Sequence, residues 1–204
     1  MSDGTFTDQK VNVRVYGGLI IDIAEDKFAE AQKILAGVPG GAKKAIGSAL
    51  ARAGASGRTY AKKAVADEYY ISQSAFMAHT RNINHYKSDG NGGLAVVFGF
   101  NGRVIPVIQF SARATDSGVI VNVKKSTGPG TLEHAFITKV FGHTGVYERV
   151  GKSRFPIKEI YGPATPQMMY SNEAVMDKIE EKVVNTFEKR ADHEIMRLLN
   201  GWGV

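Results

Sequence analysis

The chain has 204 residues, 43% of them hydrophobic and 23% charged, as is ordinary for a globular protein. It has no cysteine, which excludes disulfides, thiolate zinc sites and cysteine nucleophiles and fits assembly in a reducing cytoplasm. The 26 Lys and Arg residues against 20 Asp and Glu give a net charge of +6, which permits attraction to DNA or to an acidic protein surface without identifying either.

No segment predicts export or membrane insertion. The longest apolar run, residues 94–100, is far shorter than the roughly 20 residues that cross a bilayer. Residues 1–10, MSDGTFTDQK, lack the basic and apolar regions of a secretory signal. We therefore expect the protein to stay in the compartment that makes it.

Residues 1–23 are interpreted as an N-terminal strand or arm. Within them, residues 11–23 alternate apolar and polar side chains as a strand does, with Gly17-Gly18 as a turn or bulge. Residues 25–35 then show the apolar spacing of a helix, which Gly37 closes.

A second helical region covers residues 42–70, which are rich in Ala, Lys and Arg. Gly54 and Gly57 are expected to split it into two helices, because glycine is a poor helix former. A third, short helix is predicted to start at Ser72 or Ser74, since either hydroxyl could cap the following residues.

The middle of the chain is predicted to form an antiparallel sheet. Its predicted strands are residues 94–100, 104–110, 119–123, 132–141 and 145–150, with an extended segment at 154–160. Asn101-Gly102 suits a tight hairpin turn between the first two strands, and Pro106 indicates an edge strand or a bulge. Gly142-His143-Thr144 is predicted to join the fourth and fifth strands, and residues 161–166 are rich in turn formers.

A long helix is predicted over residues 172–199. Its apolar residues recur at steps of three and four, at Val175, Met176, Ile179, Val183, Phe187, Ala191, Ile195 and Leu198. Ser171 or Asn172 can cap its start, and Arg197 and Gly201 suit its end.

These elements predict an α+β fold in one domain of residues 24–204. A helical N-terminal region, residues 24–80, precedes a central antiparallel β-sheet, residues 94–160, and the long C-terminal helix is expected to pack on that sheet.

No catalytic, cofactor-binding or metal site is predicted. The five histidines, His79, His85, His134, His143 and His193, show no metal-binding spacing, and on a strand Glu133 and His134 would point to opposite faces. Residues 54–57, Gly-Ala-Ser-Gly, lack the spacing of a serine-nucleophile turn. Residues 37–44 lack the register of a phosphate-binding loop, so a helix start with two lysines is the expected alternative.

The second helical region carries basic residues that could meet DNA phosphates or an acidic partner. They are Lys43, Lys44, Arg52, Arg58, Lys62 and Lys63. Lys44, Arg58 and Lys62 share a face if the helix is unbroken. No aromatic residues alternate with them, so stacking on single-stranded nucleic acid is not expected. A solvated helix face is the alternative interpretation.

Residues 131–170 contain an ordered series of features. They are an apolar HAFI strand, Gly-His-Thr-Gly-Val-Tyr, a basic Gly-Lys-Ser-Arg step, Phe-Pro-Ile-Lys, Tyr-Gly-Pro and Pro-Gln-Met, followed by the long helix. In this order the segment resembles the prophage minor tail protein Z family, which includes tail-completion proteins of lambda-like phages. The resemblance covers most of residues 38–200 and leaves residues 1–23 unmatched.

This segment is expected to build a structural corner and not an active site. The corner residues are Phe155, Pro156, Ile157, Tyr161, Gly162, Pro163 and Pro166. The prolines restrict the backbone, and Gly145 and Gly162 are expected to permit turns. The side chains of Phe155, Ile157, Ile160 and Tyr161 are expected to pack under the long helix.

The resemblance implies a non-enzymatic subunit that completes the head-proximal end of a phage tail or joins tail to head. Its implied partners are further copies of itself in a ring, hexameric by analogy with tail tubes, the tail tube or terminator, the head connector and, non-specifically, DNA in the channel. It would be assembled in the bacterial cytoplasm and kept in the virion.

Three elements are candidates for the contacts of such a ring: residues 88–93, residues 128–130 and the N-terminal arm. Two other functions stay open at this point. The chain could be a basic DNA-binding protein, or an enzyme whose polar site the sequence does not display.

Overall fold

The computed structural model describes residues 18–20, 24–88 and 94–201, which fall into two compact units. The helical unit is formed by residues 18–20, 24–64, 82–88, 94–100 and 173–201, and the sheet unit by residues 65–81 and 101–172. The predicted α+β class, with antiparallel strands in the middle and a long helix near the C-terminus, is confirmed.

The helices are α1 (Ala24–Ile34), α2 (Gly41–Glu68), α3 (Gln73–Ala78), α4 (Thr165–Tyr170) and α5 (Glu173–Leu199). The strands are β1 (Gly18–Ile20), β2 (Thr80–Ser88), β3 (Leu94–Gly102), β4 (Val104–Pro106), β5 (Ser111–Thr115), β6 (Gly118–Asn122), β7 (Gly130–Glu133), β8 (Phe136–Val140), β9 (His143–Arg149), β10 (Ile157–Glu159) and β11 (Tyr161–Ala164). A single 3₁₀ turn, Val107–Gln109, follows β4.

The predicted division of the second helical region is wrong, because α2 is one helix of 28 residues. Gly54 and Gly57 lie in its interior and are buried. Every fourth residue of the helix is small and buried, at Gly41, Ala45, Ala49, Ala53, Gly57 and Ala61. Tertiary packing of this row outweighs the propensity cost of about 1 kcal/mol per glycine.

The long helix α5 has the buried stripe that the sequence predicts. All its predicted members are buried except Met176, which is half-buried. Two polar contacts attach α5 to the other helices of its unit: Lys27 Nζ in α1 lies 3.5 Å from Asp192 Oδ1, and Thr186 Oγ1 lies 3.3 Å from Ser56 Oγ in α2.

The strands form four small antiparallel groups, in the orders β1-β3-β2, β10-β9-β8, β11-β4 and β5-β6-β7. Of the predicted N-terminal arm, only Gly18–Ile20 is described, and it pairs with β3; the rest of residues 1–23 lies outside the described residues. Strand β2 was not predicted, because its sequence, TRNINHYKS, is largely polar.

The predicted hairpin at Asn101-Gly102 is wrong. Strand β3 runs through Gly102, and β4 pairs with β11. A Cβ at Gly102 would lie 2.5 Å from Thr165 Oγ1, so glycine is needed there for a close approach of two segments. Pro106 ends β4 opposite Tyr161, where the pairing is irregular, which agrees with the edge or bulge predicted for it.

The predicted strand over residues 132–141 is two strands. The backbone of His134 has φ +62°, and the amide of Ala135 donates to the carbonyl of Leu132 at 3.3 Å, so the chain turns between β7 and β8. Strand β7 then pairs with β6, whereas β8 pairs with β9. The predicted opposition of Glu133 and His134 on one strand is therefore wrong as well.

One other local prediction is confirmed, and one turn is displaced along the chain. The hydroxyl of Ser72, one of the two predicted caps, caps α3 by accepting from the amide of Ala75 at 3.1 Å. The turn between β8 and β9 is Phe141-Gly142, one residue earlier than predicted, and both residues have positive φ as this tight turn requires.

The core of the sheet unit is a cluster of small apolar side chains. Its buried members are Val107, Val119, Val121, Ala135 and Val146.

A hydrogen-bonded pair of hydroxyls lies elsewhere in the same unit. The hydroxyls of Thr165 and Thr80 are 2.9 Å apart, and the Thr80 hydroxyl donates to the carbonyl of Phe76 at 2.6 Å. The pair satisfies the hydroxyl of Thr165, which is fully buried.

Truncation of the α5 stripe tests the helical unit. We expect Phe187→Ala to lower the free energy of unfolding by about 3–5 kcal/mol, because it removes a fully buried aromatic side chain. The measurement is denaturant unfolding followed by circular dichroism. The exposed neighbour Lys189 gives the matched control, and Lys189→Ala should change stability by less than about 0.5 kcal/mol. Equal effects of the two substitutions would contradict this packing.

Candidate interaction surfaces

The predicted corner residues are divided among four elements of the sheet unit. Phe155 and Pro156 lie in the loop before β10, Ile157 starts β10, Tyr161-Gly162-Pro163 lies in β11, and Pro166 lies in the first turn of α4. The predicted turn over residues 161–166 is therefore wrong. Pro163 has no amide hydrogen to donate, and β11 accommodates it through an irregular pairing with β4 between Tyr161 and Ala164.

The packing under the long helix that was predicted for this corner is wrong for the two aromatic residues and stays a prediction for the isoleucines. Ile157 and Ile160 are half-buried, and Ile160 packs against the core cluster of the sheet unit. Phe155 is 65% exposed and Tyr161 is 42% exposed. Phe155 belongs to a loop, residues 150–156, whose residues are all exposed, so no core is available to it.

Gly145 and Gly162 lie inside strands, so the turns predicted for them are wrong. A Cβ at Gly162 would lie 2.8 Å from Cε2 of Phe110. A Cβ at Gly145 would lie 2.5 Å from Oε1 of Glu159 and 2.9 Å from Cε2 of Tyr147. Both glycines therefore serve the close approach of neighbouring side chains.

The carboxylate next to Gly145 is the centre of a polar cluster. Glu159 has a side chain that is only 11% exposed, with Oε1 2.6 Å from His143 Nε2. The Tyr161 hydroxyl donates to its Oε2 at 2.8 Å. Burial, and then the negative charge of Glu159, raise the pKa of Tyr147 above its ordinary 10.0. The cluster satisfies a nearly buried charge and ties β9, β10 and β11 together.

This cluster was not predicted, although a signal for it exists. His143, Gly145 and Tyr147 alternate along β9 and so share one face of the sheet. Glu159 is the register partner of Tyr147, which places its carboxylate on the same face. The register between β9 and β10 was needed to find it.

Among the other described acidic residues and histidines, the buried Glu194 lies 2.7 Å from Nη2 of Arg197 and 3.9 Å from Nδ1 of His193. His79 follows α3, where burial lowers the pKa of its imidazole, and His134 and His193 are exposed. Among the residues that the structure describes, no group of three or more His, Cys, Asp or Glu side chains could hold a metal ion. Within the same residues, no helix has the length and hydropathy needed to span a membrane.

The sheet unit presents exposed aromatic side chains on two connections, one of which also holds basic side chains. Phe141, in the turn between β8 and β9, is 96% exposed. In the loop before β10, the guanidinium of Arg154 lies over the ring of Phe155, 5.6 Å from its centre. Lys152 is exposed in the same loop. Exposed aromatic and arginine side chains are typical contributors to protein interfaces.

The other predicted contact elements are described only in part. Gly128 and Pro129 are exposed before β7 starts at Gly130. Residues 89–93 lie outside the described residues.

The basic residues predicted as DNA- or partner-facing all lie on α2. Lys43, Lys44, Arg52 and Lys63 are exposed, and Arg58 and Lys62 are half-buried. Because α2 is unbroken, Lys44, Arg58 and Lys62 share a face as predicted. No acidic residue occurs between Gly41 and Ala66, so this face is uniformly positive. The expected alternative to a phosphate loop at residues 37–44, a helix start with two lysines, is confirmed.

Two glycines that differ in the space around them, Gly145 and Gly151, give a matched pair of substitutions. We expect Gly145→Ala to lower the free energy of unfolding by about 1–3 kcal/mol, because its methyl group would overlap Glu159 and Tyr147. Gly151→Ala should have an effect below about 0.5 kcal/mol, because no atom lies within 4 Å of its Cβ position. Thermal or denaturant unfolding measures both, and a tolerated alanine at position 145 would contradict the geometry of the cluster.

The charge of Glu159 can be tested through Tyr147. We expect Glu159→Gln to lower the pKa of the Tyr147 hydroxyl, because the substitution removes the negative charge that disfavours the phenolate. The pKa should stay above 10.0, since burial, the larger cause, is kept. A titration of tyrosinate absorbance, with Tyr147→Phe in each background to assign the signal, measures the change. An unchanged pKa would show that Glu159 does not act on Tyr147.

The chain was compared with known proteins at three levels. No protein-family model matches it, no curated protein matches it, and no solved structure matches it. The likeness of residues 131–170 to the minor tail protein Z family therefore stays a resemblance of ordered features.

Proposed function

We propose that the chain is a non-enzymatic structural subunit of a bacteriophage tail that completes the head-proximal end of the tail or joins the tail to the head. Several copies would form a ring around the channel for DNA, in contact with the tail tube or terminator and with the head connector. The virion would be its final location.

The order of features in residues 131–170 carries this proposal. In the structure these residues form β8, β9, a basic exposed loop, β10, β11 and α4, and the long helix α5 follows. The strands place Phe141 at one end of β9 and Phe155 in the loop after its other end. A scaffold that exposes aromatic side chains at fixed positions suits a protein whose role is to bind other subunits.

A basic DNA-binding protein is the second candidate. The uniformly positive face of α2 favours it, because such a face meets phosphates without reading sequence. This candidate predicts DNA affinity in the purified protein that falls steeply with salt concentration. Both roles are compatible if the ring holds α2 toward the channel.

Removal of the gene from the phage or prophage genome that carries it tests the first proposal. We expect heads and tails that are each finished but do not join, or tails whose head-proximal end is malformed, because the missing subunit would act late in assembly. Negative-stain imaging of the lysate shows either defect. Expression of the wild-type protein from a plasmid should restore normal particles. Normal virions in its absence would overturn the proposal.

A further inference from the structure

One face of α2, whose residues are exposed or half-buried, combines basic residues with small ones. Ser48, Ala51 and Ala55 lie between Lys44 and the pair Arg58 and Lys62 on one face of the helix. Small side chains let a second helix approach closely, and the long basic side chains at the ends can then reach its polar groups. Within the described residues, neither Arg58 nor Lys62 forms an ion pair.

Helix α5 has an outward face of the opposite charge. Asp177, Glu181 and Glu188 follow one another at steps of four and seven residues, which places them on one side of the helix. All three are exposed, and none forms an ion pair in the described part of the chain. Val184 lies between them and is half-buried, so the face has an apolar centre.

The acidic face of α5 is shorter than the basic face of α2. Asp177 and Glu188 are about 16 Å apart along α5, and Lys44 and Lys62 are about 27 Å apart along α2, at 1.5 Å per residue. The acidic face therefore fits within the span of the basic one. Both helices belong to the helical unit and touch at Ser56 and Thr186, yet no ion pair among the described residues joins the two charged faces.

We propose that the basic face of α2 docks on the acidic face of α5 in a second copy of this chain. Such a contact joins two different surfaces of identical subunits, and repetition of it produces a ring when the rotation closes. The inference rests on the proposed function for its setting, a ring of subunits at the end of a tail.

The acidic face of α5 favours a second copy over DNA as the occupant of α2. A surface devoted to phosphates gains from basic residues over the whole domain. Here exposed carboxylates lie on a helix of the same unit, and they repel a phosphate backbone. For another copy of the chain, the same carboxylates are the complementary surface.

Charge reversal of each face, and of both together, tests the contact. The α2 variant carries Arg58→Glu and Lys62→Glu, the α5 variant carries Glu181→Lys and Glu188→Lys, and the exchanged variant carries all four. Sedimentation velocity of the full chain measures self-association. We expect wild-type oligomers at low salt that dissociate as salt screens the contact. Each two-residue variant should lose the oligomer.

Two rescues separate a specific contact from damage to the fold. The exchanged variant should regain the oligomer, because both faces change sign. An equimolar mixture of the α2 and α5 variants should also regain it, because every contact between unlike copies is then complementary. Arg103→Glu with Arg113→Glu makes the same charge change at two exposed residues of the sheet unit and should leave the oligomer intact. Circular dichroism checks that all variants are folded.

Three results would overturn the inference: a wild-type chain that stays monomeric, two-residue variants that still assemble, or no rescue in the exchanged variant and in the mixture. Loss of DNA binding in the α2 variant with an unchanged oligomer would assign the basic face to nucleic acid instead. A ring that forms through other surfaces would leave the proposed function standing, whereas normal virions without the gene would remove the function and not the contact.

Discussion

Two backbone hydrogen bonds at one residue connect two groups of strands in the sheet unit. The amide of Ile160 donates to the carbonyl of Val146 in β9 at 2.8 Å, and its carbonyl accepts from the amide of Val107 at 3.0 Å. This backbone position links the β10-β9-β8 sheet to the β4–β11 pair, in addition to the side-chain contacts of Glu159. Gly145, next to Val146, and Gly162, two residues after Ile160, leave room for the side chains of Glu159 and Phe110, which a Cβ would approach to 2.5 Å and 2.8 Å.

The sequence was most informative where a repeated pattern covers many residues. The stripe of α5 predicted its length and its buried face, because burial of a helix face requires that spacing. Ser72 was one of two residues predicted to cap α3, because a cap depends only on residues close to it in sequence. Predictions failed where a contact distant in sequence decides the conformation. Gly54 is buried inside an unbroken helix, and His134 has a positive φ that the sequence pattern does not indicate.

The same contrast between local patterns and distant contacts applies to the candidate surfaces. The basic residues of α2 were identified from sequence, because charge is visible in composition, and their shared face followed once the helix proved continuous. The side chain of Phe155 was expected inside, since apolar residues are usually buried, and is exposed because the loop around it offers no core. The contacts of Glu159 with His143 and Tyr161 depend on strand register, which the sequence alone did not give.

The absence of any carboxylate between Gly41 and Ala66 has a consequence for kinetics. A helix face of one sign produces a field that reaches about 8 Å into a solution of physiological ionic strength. Molecules of opposite charge are therefore attracted to α2 before contact. This attraction raises the association rate constant more than it raises the lifetime of the complex.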